Sequence, residues 1–319
     1  MLETIALPGR GRTTTRLGFG CSGLMGGLSE RESLHLLEIA FDAGIRHFDV
    51  APAYGHGIAE RCLGKFLRGK IDQVTVTTKY GIVPPQHAGI LDIARKTIRP
   101  LAQKIPVVRR SAAQASARLK TKARFSAEEA RQSLENSLRQ LGLDRVDMWL
   151  LHDVTATDLH DPSLLVFLQQ KQQEGSIGAY GVGTERRNLA ALWRSHREYC
   201  PVLQFECSLL DDPPLFPGAF CIHHRSISGA FGTIQQAFQA DPALCRRWSD
   251  AVDIDLADPQ TLAALLLRAS LAANSNGMVL FSSRVPAHIV ANIRVAENPA
   301  WTSRAARFLE LIKNQHSPQ

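Results

Sequence analysis

Several features that would indicate other protein classes are missing from this chain of 319 residues. Its six cysteines are scattered and none forms a CxxC pair, which argues against a disulfide framework and a structural zinc site. No stretch is long and apolar enough to span a bilayer, and residues 1–16 contain no apolar run suited to a signal peptide. We therefore expect a cytoplasmic protein with reduced cysteines.

Acidic residues are absent from one segment that is rich in lysine and arginine. The formal net charge is +7, and ten basic residues without an acidic neighbour lie between Asp92 and Glu128. Such a local field attracts anions. Because aromatic residues are not interleaved among these charges, a nucleic-acid surface is the least favoured explanation, and we expect no nucleic-acid partner. We predict that the segment forms an insert at about residues 84–125.

Short apolar or β-branched runs alternate along the chain with amphipathic segments, such as residues 126–142 and 259–275. Repeated βα units predict parallel strands, and eight of them would close a (β/α)8, or TIM, barrel. The hydrophobic content of 45% suits a large core, and no boundary is evident, so we predict a single domain over residues 1–319. The predicted strands cover residues 17–23, 47–51, 74–79, 146–152, 177–183, 202–209, 220–226 and 277–283.

Four polar residues fall at the ends of predicted strands or just after them, where such barrels carry their catalytic groups. Tyr54 is a phenol with a reference pKa of about 10, so a nearby ammonium such as Lys79 is the simplest way to make it a usable acid. A buried ammonium needs a counter-ion, which Asp49 provides. His152 would orient the substrate oxygen. Together the four residues predict a site that polarises a carbonyl and protonates it.

The stretches GIRHFDVAPAYG, AERCLGKFL and SLRQLGLDRVDMWLLHD, with the strand that ends at Lys79, resemble the aldo-keto reductases in order and spacing along nearly the whole chain. The resemblance implies a (β/α)8 barrel that binds NADPH, or less often NADH, without a Rossmann motif. It implies reduction of an aldehyde or ketone, or oxidation of the corresponding alcohol or aldose, by direct hydride transfer. In that scheme Tyr54 is the proton donor, Lys79 and Asp49 tune it, and His152 orients the substrate.

The resemblance also assigns residues to the nicotinamide, with departures from the family pattern. Gln204 matches the glutamine that holds the carboxamide, whereas Gly183 and Thr184 replace a Ser-Asn pair. Arg225 occupies the position of an aromatic residue on which the ring stacks, and a guanidinium can also stack on a flat ring. Ser226 begins a segment that resembles the family's cover over the pyrophosphate.

The segment after the last predicted strand resembles the part of the family that grips the adenosine. Arg284 favours NADPH there, because a guanidinium can bind a phosphate through two hydrogen bonds. The residues at matching positions are Ser283, Arg284, His288 and Asn292.

Other interpretations remain open from the sequence. A Schiff-base aldolase would use Lys79 as its nucleophile, and a nicotinamide-binding regulatory or redox-sensing subunit would keep the site with little turnover. His223 and His224 lack other ligands at suitable spacing, so we favour packing over a metal site and expect no metal. The basic insert would be the third βα loop, where it would favour an anionic or sugar-like small-molecule substrate. Residues 300–312 predict a helix that packs on the barrel or lines the pocket.

Overall fold

The computed structural model describes residues 1–9, 11–83, 121–212 and 216–316. Eight parallel strands close into a barrel in the order β3-β4-β5-β8-β9-β10-β11-β12, which confirms the predicted (β/α)8 architecture. Each predicted strand is present, several with ends trimmed by a few residues. The strands are β1 (Thr4–Ala6), β2 (Thr13–Thr15), β3 (Leu17–Gly20), β4 (His47–Asp49), β5 (Thr75–Tyr80), β6 (Ile82–Val83), β7 (Thr121–Lys122), β8 (Val146–His152), β9 (Ile177–Gly183), β10 (Val202–Glu206), β11 (Phe220–His224) and β12 (Met278–Phe281).

Helices surround the barrel, and their ends carry the residues that favour helix starts and stops. Ser29 begins the first helix with a reciprocal capping box to Glu32, and Gly142 ends the third in the left-handed conformation. None of the described helices is long and apolar enough to cross a membrane. The helices are α1 (Glu30–Asp42), α2 (Ala59–Leu67), α3 (Ala127–Leu141), α4 (Pro162–Glu174), α5 (Arg186–Ser195), α6 (Ser226–Ala240), α7 (Pro242–Val252), α8 (Pro259–Ala273), α9 (Pro286–Glu297) and α10 (Ala300–His316).

The antiparallel hairpin β1-β2, which the sequence analysis did not predict, covers the amino-terminal end of the barrel. Leu7 joins the apolar side chains inside the barrel, among them Met148 and Ile222. Arg12 donates a hydrogen bond to Asp147 at 3.0 Å and another to the carbonyl of Val74 at 2.9 Å. The hairpin is therefore held by both apolar packing and a partly buried ion pair.

A second apolar core lies outside the barrel, between α6, α7, α8 and α10. Trp248 packs edge-on against Phe238 and Phe308, with ring centroids 5.6 Å apart in both pairs. The predicted carboxyl-terminal helix is confirmed as α10. Its side chains pack into this second core, and no residue of α10 lines the cavity at the barrel mouth. Of the two placements that the sequence left open, α10 therefore takes the packing role.

The segment predicted to form the basic insert lies in the sequence between β5 and α3. The short strands β6 and β7 pair antiparallel at its base, and the amide of Ala123 donates to the carbonyl of Gly81 at 2.7 Å. Lys122 forms an ion pair with Asp158 at 2.5 Å. Residues 84–120, with most of the predicted basic charge, lie outside the described residues.

Candidate active site

A cavity of about 990 Å³ opens at the carboxyl ends of the barrel strands. Asp49 ends β4, Lys79 lies near the end of β5, and His152 ends β8. Tyr54 follows β4 in the next loop. All four predicted catalytic residues line this cavity. The fold therefore brings together side chains that lie as far as about 100 residues apart in sequence.

The Lys79 ammonium and the Asp49 carboxylate form a buried ion pair. Lys79 Nζ donates to Asp49 Oδ1 at 2.6 Å and to Oδ2 at 2.7 Å, and it also donates to the carbonyl of Val50 at 3.1 Å. The two side chains are only 3% and 4% exposed. Burial by itself lowers the pKa of Lys79, but Asp49 and Tyr54 outweigh burial and raise it. Lys79 therefore stays charged beneath the cavity.

Tyr54 lies between this pair and His152. Lys79 Nζ is 5.4 Å from the centroid of the Tyr54 ring, and the His152 ring meets Tyr54 edge-on at a centroid distance of 6.0 Å. Burial raises the pKa of Tyr54; Lys79 lowers it, as expected, but burial and the Asp49 charge leave it above its usual value. Tyr54 is therefore a phenol rather than a phenolate at neutral pH.

The loop that carries Tyr54 is held in an unusual backbone conformation. Gly55 and His56 both have positive φ, at 57° and 59°. A Cβ at Gly55 would lie 2.6 Å from Cβ of Met25 and 2.8 Å from the carbonyl of Leu24, so this position requires glycine. A non-glycine residue in this region, such as His56, carries local strain. The close packing against the loop after β3 fixes where Tyr54 enters the cavity.

Gln204, on β10, contacts the Lys79–Asp49 ion pair directly. Its Nε2 donates to Asp49 Oδ2 at 2.8 Å, while its buried Oε1 has no hydrogen-bond partner among the described residues. The neighbouring Thr184 hydroxyl is already engaged: it donates to the carbonyl of Val154 at 2.7 Å and accepts from Asn188 at 3.0 Å. Both predicted residues line the cavity. Of the two side chains, only Gln204 has a polar atom without any partner among the described residues.

The junction between β11 and α6 contributes Arg225 and Ser226 to the cavity wall. Arg225 adopts the left-handed conformation with φ of 56°, and its exposed guanidinium lies 3.2 Å from Glu206. Ser226 is buried as the first residue of α6, and its hydroxyl has no partner in the part of the chain that the structure describes. Free amides and a buried hydroxyl at a helix amino terminus favour an anion.

His224 is a cavity residue that sequence reasoning assigned to packing. Its half-buried ring lines the cavity at the end of β11, and burial, followed by the charge of Lys79, lowers its pKa to about 4. His223 instead packs against Phe205, as predicted. Among the described residues, no group of histidine, cysteine and acidic side chains has the arrangement of a metal site. Alternate residues of a strand face the same side of the sheet, and His224 pairs with Glu206, two residues after Gln204. This alternation is the signal that would have placed His224 on the same side as Gln204, inside the barrel.

The residues after β12 divide into two groups. Arg284 and Asn292 line the cavity, whereas Ser283 and His288 are not among its lining residues. Arg284 lies over the glycine-rich loop after β3, where a Cβ at Gly27 would come within 3.2 Å of its Nη1. The roles predicted for Ser283 and His288 remain predictions.

Comparison with known proteins agrees with this geometry. The profile of the Aldo/keto reductase family matches residues 16–217. The chain belongs to the aldo/keto reductase family. It is 29% identical over 223 residues to pyridoxal 4-dehydrogenase of Microbacterium luteolum, covering 65% of this chain and 61% of that protein. It is 33% identical over 190 residues to D-threo-aldose 1-dehydrogenase of Pseudomonas sp, covering 57% and 53%. The chain thus matches a little over half of the length of these relatives.

Solved aldo-keto reductase structures share the fold over almost their whole length. The holo form of aldo-keto reductase AKR11C1 from Bacillus halodurans superposes with a TM-score of 0.71 at 19% identity, covering 98% of this chain and 96% of that chain. An aldo/keto reductase from Klebsiella pneumoniae, in complex with NADP and acetate, has a TM-score of 0.61 at 20% identity, with coverages of 100% and 97%. In this aldo/keto reductase three helices, α6, α7 and α8, lie between β11 and β12.

Proposed function

We propose that this aldo/keto reductase is an NADPH-dependent oxidoreductase, able to use NADH as well, that reduces an aldehyde or ketone or oxidises the corresponding alcohol or aldose. One observation carries the proposal. The buried Lys79–Asp49 pair lies beside Tyr54 and His152 on the wall of one large cavity. Burying a charged pair to this degree costs desolvation free energy. A role in tuning the neighbouring phenol would explain why the pair is buried there.

The residues present fit a nicotinamide dinucleotide. Two buried polar atoms on the cavity wall, Gln204 Oε1 and Ser226 Oγ, have no partner within the described ranges. The first suits the amino group of a carboxamide, and the second, at the start of α6, suits a pyrophosphate oxygen. Arg284 is exposed at the rim, where its guanidinium would bind a 2′-phosphate. The half-buried His224 ring and the Arg225 guanidinium both offer flat surfaces beside Gln204.

The mechanism assigns a separate task to each catalytic residue. When bound, the nicotinamide cofactor supplies the hydride for reduction or accepts it for oxidation. The Tyr54 hydroxyl donates its proton to the carbonyl oxygen as negative charge develops there. The Lys79 ammonium stabilises the phenolate that Tyr54 becomes, and Asp49 keeps that ammonium charged and fixed. His152 holds the carbonyl oxygen near Tyr54. The raised pKa of Tyr54 keeps the proton in place until the carbonyl needs it.

A polar, sugar-like small molecule is the substrate class that we propose. The names of three relatives refer to D-threo-aldose, L-galactose and pyridoxal, each of which carries hydroxyl groups beside a carbonyl or hemiacetal carbon. The substrate side of the cavity wall here includes Ser22, His56 and Asp153, which can all hydrogen-bond hydroxyl groups. The run of basic residues in the insert supports a preference for anionic members of this class. We place the enzyme in the cytoplasm and propose no nucleic-acid partner.

The test compares two tyrosines of the same chain over a panel of aldoses, aldehydes and ketones. Tyr54→Phe should lower kcat by about 10²- to 10⁴-fold, because the proton donor is lost, while the dissociation constant for NADPH stays within about threefold of wild type. Tyr80→Phe is the matched control: Tyr80 stacks on Trp149, and its hydroxyl contacts the carbonyl of Ser126 at 3.5 Å. Its turnover should remain near that of wild type.

Two outcomes would contradict the proposal. Full turnover in Tyr54→Phe would rule out its role as proton donor. Tight NADPH binding by wild type without turnover on the whole panel would favour the regulatory-subunit interpretation.

A further inference from the structure

The Gln204 side chain makes contacts that are more specific than its place in a cofactor site requires. It is 3% exposed, and its Nε2 donates to the same Asp49 oxygen, Oδ2, that accepts from Lys79. An ionised carboxylate only accepts hydrogen bonds, so the amide nitrogen must face Asp49. The carbonyl oxygen of Gln204 is thereby turned away from Asp49, to the side where a Cβ at Gly183 would lie 3.2 Å from it. The catalytic carboxylate thus sets the orientation of a residue on the neighbouring wall.

The two residues that stand at the positions of the family's Ser-Asn pair have no amide side chain for the same recognition. Gly183 has no side chain, and a Cβ there would lie 3.2 Å from Gln204 Oε1. The Thr184 hydroxyl already donates to Val154 and accepts from Asn188. The buried Gln204 Oε1 therefore depends on a donor from a ligand, and a buried acceptor that finds no donor weakens binding.

We propose that Asp49 fixes Gln204 as a pure acceptor, so that the enzyme selects a carboxamide amino group through Gln204 and links that selection to the Asp49–Lys79 pair. Asp49 is then a positioning residue for cofactor recognition as well as the counter-ion of Lys79. The inference rests on the proposed use of a nicotinamide cofactor. It goes further because it assigns the recognition of the carboxamide partly to Asp49, an acidic residue that does not contact the carboxamide.

The effect of neutralising Asp49 follows from the same geometry. In Asp49→Asn the ammonium of Lys79 still needs an acceptor, so the amide oxygen of the new side chain faces Lys79. The amide nitrogen then takes the place of Oδ2 and donates toward Gln204. Gln204 must turn over to accept this bond, and its Nε2 then takes the place of Oε1. Acceptor and donor have exchanged places without any change at residue 204.

The experiment measures binding, by fluorescence and calorimetry, of two cofactors to the full chain. One is NADPH, and the other is its 3-acetylpyridine analogue, in which a methyl group replaces the carboxamide amino group. Wild type should bind NADPH at least about 10-fold more tightly than the analogue, because the analogue leaves Gln204 Oε1 without a donor. Gln204→Leu and Asp49→Asn should each reduce this ratio to within about threefold of unity.

Asp147→Asn is the matched control, since it makes the same chemical change in the partly buried carboxylate at the opposite end of the barrel. It should keep the wild-type ratio. Retention of the full ratio in Asp49→Asn would overturn the role of Asp49, and equal binding of the two cofactors by wild type would overturn that of Gln204. The proposed function survives both results. Failure of wild type to bind either cofactor would overturn the proposed function along with the inference.

A second variant keeps the inference testable if Asp49→Asn does not fold. In Gln204→Glu the new carboxylate cannot donate to Asp49, so the two groups must share a proton for the contact to persist. When this proton is lost the two carboxylates repel each other and residue 204 is no longer held by Asp49, so the ratio of the two cofactor affinities should depend on pH between about pH 5 and pH 8, unlike that of wild type. A parallel pH dependence in the variant and wild type would contradict the contact between residues 204 and 49.

Discussion

The two ends of the barrel treat buried polar groups in opposite ways. At the closed end, Asp147 accepts from Arg12 and from the amide of Val76, and both His47 nitrogens meet threonine hydroxyls at 2.9 and 3.2 Å. At the mouth, Gln204 Oε1 and Ser226 Oγ are buried without partners among the described residues. Satisfied groups stabilise the fold, and unsatisfied ones keep bonding capacity for a ligand. The difference separates the part of the barrel that maintains structure from the part that carries chemistry.

Charge is also distributed differently between the ends. The side chains of Arg12 and Asp147 are 25% and 10% exposed, so water screens their pair, whereas those of Lys79 and Asp49 are almost fully buried. Burial makes an ion pair costly to form and still more costly to break. We therefore expect both stability and turnover to depend on the ion pair at the mouth.

The largest expected effect comes from removing the cation at each end. Lys79→Met leaves the Asp49 carboxylate buried without a counter-charge, and we expect a loss of about 3–5 kcal/mol in the free energy of unfolding and at least about 100-fold in kcat. Arg12→Met leaves Asp147 its bond from the amide of Val76, so we expect a loss of about 1–3 kcal/mol with kcat unchanged. Urea unfolding and steady-state kinetics measure both variants. Similar losses of kcat would remove the functional distinction between the ends.

A buried histidine at the closed end should make the free energy of unfolding decrease at acidic pH. Burial, and then the charge of Lys79, lowers the pKa of His47 from 6.5 to about 3. The unfolded chain therefore binds a proton below about pH 6.5 that the folded chain refuses, and stability falls as the pH decreases through this window. In His47→Gln this contribution is absent, so the slope between pH 6 and pH 4.5 should decrease by about 1.4 kcal/mol per pH unit.

Urea titrations at several pH values test this expectation, with His35→Gln, an exposed histidine on α1, measured alongside. Identical slopes for wild type and His47→Gln would show that His47 is protonated in the folded protein.

The smallest effect concerns a third buried carboxyl, which lies outside the barrel. Glu60 on α2 is 2% exposed and accepts from the Thr78 hydroxyl at 2.6 Å. Burial raises its pKa, against the bond from Thr78 and the charge of Lys79. The unfolded chain therefore ionises Glu60 at a pH where the folded chain keeps it protonated, and the protein loses stability as the pH rises through that range.

Glu60→Gln has the same shape, can accept the same bond from Thr78, and does not ionise. Its melting temperature should equal or exceed that of wild type at pH 7, and the difference should shrink at pH 4. A lower melting temperature at pH 7 than at pH 4, relative to wild type, would show that the carboxylate is the favoured form in the fold.

Local patterns were sufficient for much of this structure. Alternating βα segments predicted all eight barrel strands, because each strand is a compact apolar run bounded by turn residues. The strand-end positions of Asp49, Lys79 and His152 placed them at one mouth. The hairpin β1-β2 was missed because each strand has only three residues. The pair α6-α7 was missed although Asp241 and Pro242 form a helix-start signal between the two helices.

Contacts between distant segments could not be predicted from local pattern. The orientation of the Gln204 amide depends on Asp49, which is 155 residues away in sequence. The direction in which the pKa of Tyr54 shifts depends on the balance between burial and two opposite charges. The positions of Ser283 and His288 off the cavity wall depend on how the chain turns from β12 into α9. Such balances require the folded arrangement.

The hairpin that covers the closed end has a consequence for the order in which molecules enter and leave the cavity. Gln204 and the Lys79–Asp49 pair lie deep in the cavity, and the described residues place its opening at the strand ends. Reactants and products therefore share one passage. The molecule that binds at the depth of Gln204 has to enter first and leave last. A molecule that stays bound nearer the opening would therefore delay the release of the deeper one and slow turnover.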